Sequence, residues 1–184
     1  MTYYALVCYP EINTEKIEKL RRKYDPTFNL MAPHITIIFP VPASIGKMNL
    51  TKHIKQVLAR WRPFNAHIAG LKKSWDNWLF LILEKGSLDF VRLHDELYSG
   101  PLFKYLRKDI KYAPHIGLGL FIKEGVKYDL NNPEKIQLDS GKYEQALQEA
   151  KKANLNYEIK VRKLQLIKLN NTYTKCNIVE EFLL

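Results

Sequence analysis

Ala32-Pro33-His34-Ile35 begins the run APHITIIFP (32–40), and the same tetrapeptide, Ala113-Pro114-His115-Ile116, begins APHIGLGLF (113–121). Each run has a proline at its start and then six or seven apolar or β-favouring residues, which is the pattern of a strand. Successive side chains along a strand point to opposite faces. Strict alternation therefore puts His34, Thr36 and Ile38 on one face and Ile35, Ile37 and Phe39 on the other. In the second run His115, Gly117 and Gly119 share a face opposite Ile116, Leu118 and Leu120. Each strand has a full apolar face and a histidine at the mouth of the other. A single histidine so placed is ordinarily a structural strand residue. A duplicated one asks for a common cause, and one shared site is the simplest.

Outward from these runs the elements fall into two matching sets. Tyr3 to Tyr9 reads as a strand stopped by Pro10. Asn13 or Thr14 caps a helix through Tyr24, with Ile17 and Leu20 inward, and Asp25-Pro26 ends it. After the first histidine strand, closed by Pro40 and Pro42, Thr51 caps a helix with Ile54, Val57, Leu58 and Trp61 on one side. Phe64 to Gly70 is a short strand, and 72–77 is the turn of a hairpin into the strand Trp78 to Glu84. A helix from Ser87 or Asp89, with Phe90, Leu93 and Leu97 inward, then precedes the second histidine strand. Asn131-Asn132-Pro133 marks a loop, Gly141 to Asn154 a helix, and Asn156 to Leu169 a long alternating strand bent in its middle. A turn at Asn170-Asn171 leads to a last strand, Lys175 to Leu183.

Strand, helix, histidine strand, helix, strand thus covers roughly 3–70 and again 78–169. The expected fold is α+β: two similar lobes, each an antiparallel sheet with helices packed outside, related by a pseudo-two-fold around a central cleft. The whole chain, 1–184, reads as one bilobal domain, long enough for a well-filled core. That symmetry would bring His34 and His115 together across the cleft.

The 29 Lys and Arg against 19 Asp and Glu give a formal net charge of +10, which concentrates anions such as nucleotides and RNA near the surface. A lysine-rich surface also serves solubility alone, so the charge supports a phosphate-bearing ligand without requiring one. No apolar run reaches membrane-span length, and the N-terminus lacks a basic leader. Cys8 and Cys176 form neither a metal spacing nor a disulfide framework. A reduced cytoplasmic protein without membrane attachment, acting as a monomer, is expected. No His-x3-His, HExxH, GxxxxGK[ST] or GxGxxG occurs, so neither a bound metal nor another cofactor is expected.

Histidine titrates near neutrality and can act as acid or base there. Two across a cleft can take and give a proton in one displacement at a phosphodiester. Thr36, two residues after His34, can direct its hydroxyl to a phosphate oxygen. With these residues the chain resembles, over nearly its whole length, the two-histidine (2H) phosphoesterase superfamily, which includes the 2′-5′ RNA ligase-like RNA 2′,3′-cyclic phosphodiesterases. The family signature is a pair of His-x-Thr/Ser motifs, each followed by an apolar residue. His34-Ile35-Thr36-Ile37 fits it fully. His115-Ile116-Gly117-Leu118 fits except at Gly117.

The resemblance implies a bilobal fold with both histidines in the cleft. It also implies metal-free opening or closing of cyclic and 2′-5′ phosphodiesters of RNA or nucleotides. His34 and His115 would be acid and base, without order, and Thr36 a phosphate donor, with the region of Gly117 forming the pocket's other side. The departure at Gly117 removes one donor, a loss that can cost about a hundredfold in rate. A backbone N–H, Thr172, Thr174 or a lysine could replace it; the substrate could be bulkier; or the protein could bind nucleotide or RNA without turnover. Tyr3, Trp75, Tyr112 and Tyr173 are candidates to stack a base, Tyr112 first because it closely precedes His115. The basic stretches 104–111 and 160–168 could line the cleft or face solvent, and alternation puts Lys160, Arg162, Leu164, Leu166 and Lys168 on one face. His53 is expected to face solvent and His67 to be structural; His94 precedes Asp95 on a helix, where neighbours at i and i+1 do not face each other, and none of the three is expected to be catalytic.

Overall fold

The computed structural model of the chain describes residues 2–126, 135–172 and 174–184. The Asn131–Pro133 loop and Tyr173 lie outside them. Among the described residues eight strands and four α-helices follow in the order β1 (Thr2–Cys8), α1 (Glu15–Tyr24), β2 (Ile35–Pro42), α2 (Lys47–Leu58), β3 (Phe64–Lys73), β4 (Trp78–Lys85), α3 (Ser87–Leu97), β5 (His115–Leu120), α4 (Ser140–Ala153), β6 (Tyr157–Val161), β7 (Lys163–Asn170) and β8 (Cys176–Leu183). They form two four-stranded sheets, β2-β1-β7-β8 and β5-β4-β3-β6. Every strand pairing is antiparallel. The two histidine strands occupy equivalent edges, one in each sheet, as the duplicated pattern predicts.

The lobes are not the two halves of the sequence. β3 leaves the first half to pair with β4, and β7 leaves the second to pair with β1. The stretch 156–169, expected as one bent strand, breaks at Arg162; β6 belongs to the second sheet and β7 to the first. Helices cross over as well. α1 packs on β5 and α4, while α3 packs on β2 and α2. Each histidine strand is thus backed by a helix from the opposite half, and a continuous apolar core runs through both lobes, joining Leu6, Ile35 and Ile37 to Leu81, Ile116 and Leu118.

Local chemistry accounts for two of the helix starts. The side chain of Asn13 accepts from Glu15 N–H at 2.9 Å at the start of α1, and that of Asp139 accepts from Lys142 N–H at 3.0 Å at the start of α4, each supplying an acceptor for an orphan amide of the first turn. Pro40 and Pro42 are tolerated within β2 because it is an edge strand with no second ladder to feed. α2 starts at Lys47, a turn before Thr51. His53 then lies beside Leu50, Ile54 and Val57 on the inner face; it is 8% exposed, its ring bonded to Leu97 O at 2.8 Å. The expectation of a solvent-facing His53 is therefore corrected: the charge of Lys52 and Lys55 marks the flank of the helix, not the histidine's side.

Strict alternation also fails in each histidine strand, where the ladder shifts register twice along β2 and once along β5. In β2, Thr36 pairs Val7 and Ile38 pairs Leu6, so Ile37 is an extra residue and Ile38 joins the core. In β5, Gly117 pairs Phe80 and Gly119 pairs Leu79. The extra residue there is Leu118, and Gly119 turns inward while Leu120 takes the cleft side. A bulge inserts one residue and reverses the faces beyond it, which periodicity alone does not show. The Lys160 to Lys168 face is likewise divided: Lys160, Arg162 and Lys168 are exposed, whereas Leu164 and Leu166 are fully buried.

Candidate active site

His34 and His115 stand at the starts of β2 and β5, half-buried, each following a buried proline. Their rings are held alike. The Nδ1 of His34 bonds the carbonyl of Ala32 at 2.8 Å, and the Nδ1 of His115 bonds that of Ala113 at 2.7 Å. A carbonyl only accepts, so each Nδ1 carries the hydrogen. That fixes both tautomers and leaves each Nε2 as the free basic nitrogen, turned away from its own backbone. The two histidines lie within electrostatic reach, a charge on His34 lowering the proton affinity of His115.

Their surroundings differ. Burial pushes the pKa of His115 down to about 4, with the Ala113 carbonyl opposing and His34 and Asp76 contributing less. Phe80 covers one face of its ring, stacked at 3.5 Å between centroids and 20° between planes. His34 is also lowered, chiefly by burial, against the Ala32 carbonyl, with Arg21 and Asp25 acting in opposite senses. Tyr9 meets it edge-on at 6.0 Å. Beneath lies a pair hidden from the sequence pattern. Arg21, 2% exposed, donates through Nε to Asp25 Oδ2 at 2.7 Å, and Asp25 Oδ1 accepts from both the backbone and the hydroxyl of Thr27 at 2.7 Å. An arginine in a run of RRK reads as surface. Only its i,i+4 relation to Asp25 hints otherwise.

The free edge of β2 is clamped by side chains of the second half. Tyr112 donates its hydroxyl to Thr36 O at 2.8 Å, His94 Nδ1 bonds Ile37 O at 2.7 Å, and Phe39 N–H donates to the Tyr98 hydroxyl at 3.0 Å. The rings of His94 and Tyr112 stack at 3.9 Å and 3°. Unpaired backbone groups on an edge strand need partners when covered, and here they also fix the Thr36 strand against the segment leading into His115. Tyr112 thus sits between the two histidine strands with its polar end engaged. His94 is buried at this clamp and His67 bonds Asn156 at 2.9 Å; both placements are structural.

Thr36 is half-buried and shares its sheet face with Val7, the side of His34. Gly117 faces the cleft from β5, and a Cβ there would stand 3.3 Å from two ring carbons of Trp78. Among the other candidates, Trp75 is 55% exposed at the hairpin tip, Tyr3 packs beside Ala5 and Val7, and Thr172 and Thr174 bond each other and Asn170. In the 104–111 stretch Arg107 pairs with Asp109, and Lys104 and Lys108 lie over the rings of Tyr105 and Phe103. Among the described residues no three His, Cys, Asp or Glu side chains converge to hold a metal ion, and no helix is long and apolar enough to cross a membrane.

A cleft between two interlocked α+β lobes, with one tautomer-fixed histidine on each edge strand, defines a class of two-histidine folds. Residues 9–172 match the family model of the 2′-5′ RNA ligase superfamily, so the chain belongs to that superfamily, the two-histidine phosphoesterases. A Geobacillus thermodenitrificans protein named "Putative phosphoesterase" is 25% identical over 138 residues, 73% of this chain and 78% of its own. A Bacillus cereus protein of the same name is 26% identical over 130 residues, covering 68% and 74%. Among solved structures, E. coli LigT complexed with 3′-AMP superposes with a TM-score of 0.60 over 100% of this chain and 97% of its own at 15% identity. The Thermus thermophilus protein TT0787 gives 0.60 over 100% and 97% at 18% identity.

Proposed function

We propose that the protein is a metal-independent phosphoesterase that opens a 2′,3′-cyclic or 2′-5′ phosphodiester of RNA or a nucleotide with His34 and His115 as its acid–base pair. The observation that supports this reading is the twin Nδ1–carbonyl bond, which leaves Nε2 of each histidine as its basic nitrogen, on two rings near enough for the charge of His34 to act on His115. One neutral imidazole takes a proton from the attacking water. The other, protonated, gives a proton to the leaving sugar oxygen as its bond to phosphorus breaks. Burial favours the neutral form of both imidazoles, and an anionic phosphodiester between them favours charging one. Thr36 offers a hydroxyl to a phosphate oxygen. Lys72 pairs with Phe80, which pairs with Gly117, so a cation stands level with the missing donor. The E. coli relative has been solved with 3′-AMP, ATP and NADP+, which supports a nucleotide as the group carried by the phosphate. The unpaired cysteines Cys8 and Cys176 fit a reducing compartment, and we place the working protein in the cytoplasm as a monomer.

A second reading, a nucleotide- or RNA-binding module without turnover, is favoured by Gly117 alone. Hydrolysis of a nucleoside 2′,3′-cyclic phosphate and a 2′-5′-linked oligonucleotide in EDTA separates the two. Turnover in the wild type that His34→Ala and His115→Ala each abolish supports the enzyme. Affinity without turnover in the wild type supports the module.

A further inference from the structure

The two walls of the cleft are chemically unlike. On the first sheet the cleft side of β2 carries His34 and Thr36. On the second, directly paired residues share a face, so the register puts Ile82 beside His115, Phe80 beside Gly117 and Trp78 beside Leu120. Trp78, Phe80 and Ile82 are each half-buried, while the intervening Leu79, Leu81 and Leu83 point into the core. β4 therefore shows the cleft a contiguous apolar strip, and Phe80 already lies flat on the His115 ring. Trp78 carbons stand 3.3 Å from where a side chain at 117 would begin. A threonine or serine there would press into the indole, so the glycine and the tryptophan are two halves of one feature.

We infer that Trp78, lying against Gly117, is a specificity-determining residue that forms a subsite for a flat aromatic group, a nucleobase in the substrate class proposed above. The inference rests on that reading for the identity of the ring. The phosphate is then recognised from the His34–Thr36 wall and the base from the Trp78–Phe80 wall. Stacking on one aromatic side chain changes affinity by about tenfold or more and tolerates any base, because every base has a π-face.

The test compares adenosine 2′,3′-cyclic phosphate with methyl β-D-ribofuranoside 2′,3′-cyclic phosphate, which has the same sugar and phosphate but no base. Wild type is expected to favour the nucleoside by about tenfold or more in kcat/KM. Trp78→Leu should bring the two within about threefold by raising KM for the nucleoside alone, and Trp78→Phe should restore most of the preference. Equal wild-type kcat/KM values, or a Trp78→Leu enzyme equally slowed on both, would overturn the inference and leave Trp78 a packing residue. Should wild type hydrolyse neither compound, the cyclic-phosphate form of the proposed reaction fails. The subsite is then judged by calorimetric binding of adenosine 2′-monophosphate against ribose 2-phosphate: a base-dependent affinity lost in Trp78→Leu upholds it, and equal or absent binding refutes it.

Discussion

Gly117 and Gly119 look interchangeable in the string HIGLGL, yet alanine at each should behave very differently. At Gly119 a Cβ would lie 2.5 Å from Tyr24 Cβ, 2.9 Å from Phe121 Cζ and 3.0 Å from Tyr24 O. Carbon atoms pack best near 3.5–4.0 Å, so α1 and β5 would have to separate by about 1 Å. Two of those three neighbours are tied to the helix backbone and cannot rotate away. Overpacking of a filled core costs about 1–3 kcal/mol, and backbone collisions belong at the upper end. For a chain of this length each kcal/mol is about 2–4 °C in Tm, so Gly119→Ala should melt about 6–12 °C below wild type. At Gly117 the new methyl meets only the edge of the Trp78 ring at 3.3 Å. A small tilt relieves it, and the entropy removed from the unfolded chain offsets part of the cost, leaving a change below about 1 kcal/mol. The assay is thermal denaturation followed by circular dichroism, with hydrolysis measured well below both midpoints. Gly119→Ala should remain active when folded, whereas Gly117→Ala should fold normally and alter substrate kinetics. A Gly119→Ala protein melting within about 2 °C of wild type would refute the bulge-derived placement of these residues.

Other outcomes follow from the same geometry. Tyr112→Phe removes the hydroxyl bonded to Thr36 O but keeps the ring on His94; it should cost about 1 kcal/mol by denaturant titration and lower kcat more than it raises KM. Arg21→Met should destabilise by about 3–5 kcal/mol, because Asp25 would keep a buried charge without its partner; urea unfolding reads this directly. The depressed pKa of His115, about 4 when folded against about 6.5 unfolded, means the unfolded chain binds more protons between those values. Its contribution is present in full above about pH 6.5 and is lost as pH falls through about 4. Stability measured over that window should decline less steeply in His115→Gln. Lys72→Ala should leave folding unchanged and raise KM for an anionic substrate, with a weaker salt dependence than wild type.

The duplicated APHI runs determined much by themselves. Proline, histidine and alternating apolar residues twice over were enough to place two strands and a pseudo-symmetric α+β fold, and to single out His34, His115 and Thr36 as candidates for one site, because these depend on local periodicity and on repetition. What only the tertiary structure decided depends on partners distant in sequence. The exchange of β3 and β7 between lobes reflects which strands find antiparallel edges, and α1 covers β5 because Gly119 leaves room for Tyr24. The bulges at Ile37 and Leu118 move Ile38 and Gly119 to faces that alternation denies them. His53 and Arg21 are buried by helix registers that their charged neighbours conceal. Tyr112 stands out in sequence for its nearness to His115, but its hydroxyl is held by Thr36, a residue that chain order keeps remote. Periodicity specifies which face a side chain takes on its own element; what that face meets is set by how the elements pack.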